Sequence, residues 1–123
     1  MAEVPHDKRD QLEKVRSGLL DGEQVYAVYD CVGTGTGFVG LTDRRVVFQD
    51  NSFVGKQVAL TSVPYGQIRS VSIVSDKAWT GKFFSSSSVA IDVGGTVHVA
   101  DFRGQDKAKH VHDLVLWAIL ARE

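Results

Sequence analysis

Apolar and polar residues alternate on either side of short polar turns from Gly40 to Ile73. That is the pattern of antiparallel strands with one buried face. Read outward in both directions, it predicts seven strands. In the first, over residues 24–31, Val25, Ala27, Tyr29 and Cys31 alternate with Tyr26, Val28 and Asp30. Both sets carry apolar groups, so cover on both sides is expected. Residues 38–41 and 45–49 flank a turn at Thr42-Asp43-Arg44, of the kind in which an aspartate hydrogen-bonds its own backbone. Val46 and Phe48 face one way there, and Arg45, Val47 and Gln49 the other. Residues 56–62 form the fourth strand, with Val58 and Leu60 expected inward. Pro64-Tyr65-Gly66 breaks it, because proline has no ladder donor. Residues 68–74 are the fifth strand, and Val89, Ile91 and Val93 mark the sixth. Gly94-Gly95 is a two-residue hairpin signal, answered by a seventh strand over 96–102.

Helical spacing takes over at both ends. After seven residues that read as a loose lead-in, 8–17 predict a short helix with one narrow stripe of Leu12, Val15 and Leu19. A second helix is predicted from Gln105 or Asp106 to about Ala121. Its Ala108, Val111, Leu114, Val115, Ala118 and Ile119 share one side, suited to packing on the sheet. Leu116, Trp117 and Leu120 point largely the other way. Two readings follow. Either the N-terminal helix covers this second face, or the face is a contact with another copy of the chain or a protein partner, since exposed apolar patches mark interfaces.

Composition narrows the classes. The chain has 123 residues, 43% hydrophobic and 24% charged, with a formal net charge of -1. That is one globular domain with no global pull toward nucleic acid or an anionic membrane. The single cysteine, Cys31, makes no internal disulfide, which fits a reducing cytoplasm. No apolar run approaches the length of about 18 residues that a membrane-spanning helix needs, and the charged N-terminus lacks the apolar core of a signal peptide.

Candidate chemistry is sparse. Gly33-Thr34-Gly35-Thr36-Gly37 has neither the terminal Lys-Ser/Thr of a phosphate loop nor dinucleotide-loop spacing. It suits a loop, or a bulge where something packs on bare backbone. His110 and His112 stand two apart and so leave opposite sides of a helix, whereas metal pairs stand four apart; His6 and His98 have no placed partner. Cys31 lacks a neighbouring base and reads as a buried structural thiol. No cofactor, metal or catalytic residue is therefore expected. Arg44, Arg45 and Arg69 read as a solvated face balancing Asp43 and Asp50; no nucleic-acid partner is expected from so small a cluster. The stretch over 75–87 is more pointed. Lys77, Trp79, Lys82, Phe83 and Phe84 mix aromatics with lysines, a composition that enters membrane interfaces or grips peptides; the plainer reading folds the aromatics back over the sheet.

The segment Gly40-Leu-Thr-Asp-Arg-Arg-Val-Val-Phe, followed by Val63-Pro-Tyr-Gly-Gln-Ile-Arg-Ser-Val, resembles the bacterial pleckstrin-homology-like (PH-like) domain family. The likeness covers residues from about 21 to about 120 and leaves the N-terminal helix outside. It implies residues 1–20 as a helical extension and 21–123 as the PH-like domain. It implies a mainly β fold: a seven-stranded antiparallel barrel or orthogonal sandwich with a C-terminal capping helix, preceded here by the short N-terminal helix. It also implies a non-enzymatic scaffold, some of whose bacterial members assemble into homo-oligomeric rings. Eukaryotic relatives bind phosphoinositides through Lys and Arg on the first two strands and the loop between them. The corresponding residues 30–40 hold no Lys or Arg and include Asp30, so that property does not carry over. The expected function is binding or scaffolding through self-assembly or protein contact, with Leu116, Trp117 and Leu120 as the interface. The alternative is a peripheral membrane or lipid-binding module that uses the loop over 77–84.

Overall fold

The computed structural model describes residues 3–32, 37–50, 58–74 and 87–122. Two antiparallel sheets make up the frame. The first joins β1 (Val25–Asp30), β2 (Phe38–Thr42), β3 (Arg45–Asp50) and β4 (Ala59–Pro64) in that order; the second joins β5 (Ser70–Val74), β6 (Ser87–Asp92) and β7 (Val97–Phe102). A single 3-10 turn, Tyr65–Gln67, links them in sequence. At one corner they touch directly: Cys31 bridges to Phe102, and the Val32 N–H donates to the Asp101 carbonyl at 2.9 Å. The architecture is the mainly β, seven-stranded PH-like fold that the motif implied.

The core fills the space between the sheets. Ala27, Tyr29, Val39, Leu41, Val46 and Val63 meet Val89, Ile91, Ala100 and Phe102 there. The helix α2 (Gln105–Leu120) lies across β5, β6 and β7 and closes the space with Ala108, Val111, Val115 and Ala118. Gly94 and Gly95 take φ of 85° and 115° between β6 and β7. Positive φ at both central residues is what a primed hairpin turn demands. The Asp92 carboxylate accepts the Gly94 N–H at 2.7 Å and holds the turn.

A second, smaller core lies outside the first sheet. Helix α1 (Arg9–Ser17) rests on β1 and β2 and buries Leu12, Val15, Val28 and Phe38. The cover expected on both faces of β1 is thus supplied by the main core on one side and α1 on the other. Close approach depends on Gly40: a Cβ there would stand 2.8 Å from Val15 Cγ2. Gly37 is similarly bare, since a Cβ would run into the Gln49 carbonyl.

Two expectations are corrected. Val58 and Leu60 are not inward; they are 52% and 54% exposed. Leu60 stands opposite Gln49 and Ser62 opposite Val47, and cross-strand partners share a face, so these residues line the outer surface. Val63 is the residue of β4 that enters the core. Residues 5–7 of the lead are not loose either. Val28 donates its N–H to the Pro5 carbonyl at 3.0 Å, Asp7 donates to the Val28 carbonyl at 3.2 Å, and His6 makes a parallel bridge to Val28. The lead satisfies backbone groups along β1 that an edge strand would otherwise leave open.

Candidate contact surface

The residues that carried the family resemblance meet in one hydrogen-bonded node. The Thr42 hydroxyl accepts the Arg44 and Arg45 N–H groups, each at 3.0 Å, and donates to Glu23 Oε2 at 2.6 Å. Arg45 grips Glu23 twice, Nε to Oε2 at 2.9 Å and Nη2 to Oε1 at 2.8 Å. It also reaches Ser62 Oγ at 3.0 Å and the Gly18 carbonyl at 2.8 Å. The Tyr65 hydroxyl donates to the Thr42 carbonyl at 2.7 Å, and Arg122 stacks its guanidinium 5.0 Å over the Tyr65 ring while donating to the Asp43 carbonyl. Burial pushes the Glu23 carboxyl up, but the hydrogen bonds from Arg45, the Leu20 N–H and Thr42 outweigh it and bring the pKa to about 2. The node spends its donors and acceptors within the chain, so its role is to hold the β2–β3 turn, the end of α1 and the end of α2 together.

That geometry corrects two further readings. Asp43 does not bond its own backbone; it accepts the Gln24 N–H at 2.8 Å, and Thr42 makes the turn instead. Arg45 is not part of a solvated basic face, because it is paired with a buried carboxylate. Arg44 and Arg69 are exposed.

The other candidates for chemistry are dispersed. Cys31 is buried, and burial, followed by Asp30, Asp101 and Asp7, pushes its thiol up to about 12. Thiolate chemistry needs the opposite shift. His110 Nδ1 lies 2.6 Å from the Tyr29 hydroxyl, whose pKa burial raises first and Asp7 and Asp106 second. His112 meets Asp113, His98 stacks on Phe48 at 5.1 Å, and His6 bonds the Val4 carbonyl. Among the described residues no group of three or more His, Cys, Asp or Glu is placed to hold a metal ion. Nor is any described helix long and apolar enough to cross a membrane.

The outer face of α2 is one of the places where apolar surface stands open, and the one that lies on a helix packed on the main core. Leu116, Trp117 and Leu120 are 39%, 57% and 55% exposed. Trp117 sets its edge against Tyr26, with centroids 6.2 Å apart, and the rest of the indole faces outward. The cover proposed from the N-terminal helix is absent from this face, because α1 packs on the first sheet. Asp113 and Lys109, about one and two turns earlier on the same strip, pair with each other at 2.8 Å. Lys77, Trp79, Lys82, Phe83 and Phe84 lie outside the described residues. Sequence alternation did not mark Val58 and Leu60, or Val97 and Val99 on β7, as outward apolar residues. A period of two finds faces but does not say which face is wet.

Comparison with known proteins gives a consistent relationship. The model of the bacterial PH domain family matches residues 19–115. A pleckstrin homology domain from Shewanella amazonensis is similar in structure, with a TM-score of 0.61 at 15% identity over 93% of each chain. A PH-domain-containing protein from Exiguobacterium sibiricum gives a TM-score of 0.63 at 21% identity, covering 95% of this chain and 63% of that one. No curated protein matches the sequence.

Proposed function

The chain belongs to the bacterial PH domain family, and we propose that it works by contact rather than catalysis, with a second copy of itself as the partner. The observation that carries this reading is the open strip of Leu116, Trp117 and Leu120 on a helix whose opposite side buries Ala108, Val111, Val115 and Ala118. Such a strip is costly to leave in water, at about 25 cal/mol for each Å². Two copies laid antiparallel bring each strip onto the other, the self-complementary arrangement of a two-fold interface. Charge does not oppose it. Lys109 neutralises Asp113 beside the strip, and a formal net charge of -1 leaves little long-range repulsion between copies. The buried, unreactive cysteine fits action in a reducing cytoplasm.

Light scattering tests it. The full chain at micromolar concentration is expected to exceed the monomer mass, and the double variant Leu116→Ser, Trp117→Ser to return to it with the fold intact. A strict monomer in the unsubstituted protein overturns the proposal.

A further inference from the structure

A cavity of about 270 Å³ opens where three distant parts of the chain converge. Asp7 and Lys8 come from the lead into α1, Asp30 from the end of β1, and Arg103 and Lys107 from the turn into α2. The carboxylates are engaged. Asp7 accepts the Asp30 N–H at 3.0 Å and the Lys107 ammonium at 2.6 Å. Asp30 accepts Gln11 Nε2 at 2.8 Å and lies 3.6 Å from Lys8 Nζ. Arg103 differs: it is exposed, lines the cavity, and among the described residues nothing accepts from its guanidinium. Three cations against two carboxylates leave the lining with one positive charge in excess.

Packing alone gives no reason for cations here. Lys8 is the N-cap of α1, Arg103 directly precedes Gly104, the N-cap of α2, and Lys107 stands in the first turn; neither cap position makes a side-chain capping bond. Helix N-termini favour negative charge, so these three side chains sit where their own charge is least welcome. Asp7 and Asp30 offset two of them and hold both lysines facing the space. The remaining deficit suits an anion.

We propose that this cavity binds a small phosphate monoester, with the Arg103 fork bidentate on the phosphate and Lys8 and Lys107 flanking it. A monoester brings three acceptor oxygens, two for the Arg103 fork and one for the ammonium N–H donors that Lys8 and Lys107 keep beyond their carboxylates. A carboxylate brings only two oxygens, which the Arg103 fork alone would occupy. The cations come from the lead, the β7–α2 turn and the first turn of α2, not from the first two strands.

The test is a titration of the full ¹⁵N-labelled chain with glycerol 3-phosphate and with inorganic phosphate, against sodium chloride at matched ionic strength. Saturable amide shifts at 7–8, 30 and 103–107 are expected. Arg103→Ala, an exposed change, should weaken binding about tenfold or more, the usual cost of losing a charge-assisted pair. Arg69→Ala, at an exposed arginine outside the cavity, should leave it unchanged. Flotation with phosphatidylcholine vesicles containing phosphatidate separates two sources of the same group. Arg103-dependent flotation identifies a lipid headgroup; binding of glycerol 3-phosphate without flotation identifies a soluble ester. Shifts that match the chloride control, fail to saturate or survive Arg103→Ala overturn the proposal.

Discussion

The two helices solve the same problem to different degrees. α1 buries Leu12 and Val15 and shows water a polar outer side of Arg9, Asp10, Glu13, Lys14, Arg16 and Ser17. α2 buries four residues in the main core, yet shows water Leu116, Trp117 and Leu120. α1 is therefore finished by the subunit itself, whereas α2 is finished only if something else covers it. A helix on a small domain normally carries its charge outward, so the departure in α2 is the more informative of the two.

If α1 is truly an integral part of the fold, the strongest blow falls on its tether. Arg45 holds both Glu23 and the carbonyl of Gly18 just past the helix. Arg45→Met leaves a buried carboxylate alone and should cost about 3–5 kcal/mol in urea unfolding. A loss below 1 kcal/mol would mean that the node is ornamental.

Acid probes the same tether more gently. The Glu23 pKa is about 2 in the fold against 4.5 unperturbed. A depressed carboxylate contributes its stability in full above the unfolded value and loses it as pH falls through the folded one. Stability should therefore drop by about 3 kcal/mol between about pH 4.5 and pH 2. In Arg45→Met that acid-dependent loss should flatten, because the group that depresses the pKa is gone.

A still smaller effect is expected from Gly40→Ala, which pushes α1 away from β2 at Val15. Overpacking of this kind costs about 1–3 kcal/mol, with exchange protection falling first across 9–17. Smallest of all in stability should be the serine pair on α2. Single exposed changes usually stay within about 0.5 kcal/mol, so Leu116→Ser and Trp117→Ser should alter solution mass while barely moving the unfolding midpoint. A large stability loss with unchanged mass would erase the contrast between the helices.

Much of the frame was legible because it is local. The seven strands, the Gly94-Gly95 turn and the buried side of α2 all follow from short-range periodicity and turn chemistry. What was missed is long-range. Glu23 and Arg45 are 22 residues apart, and nothing in either neighbourhood announces the pair. Val58 and Leu60 alternate as convincingly as core residues, but the register places them outside. The charged cavity joins Asp7 to Lys107 across 100 residues. One local sign was available: Arg103 and Lys107 straddle a helix start, where the dipole argues for acids.

The clasp between Asp7 and Lys107 also sets the order in which a growing chain can finish. On the ribosome the first sheet emerges early, but the segment along its β1 edge gains its lysine only once residue 107 has appeared. Closure of so long a loop waits on the 100 residues that separate the pair. Until then the lead holds β1 through the bonds of residues 5 and 7 without the Lys107 clasp, which makes the interval before α2 is synthesised the time when a nascent molecule is most open to pairing with the wrong strand.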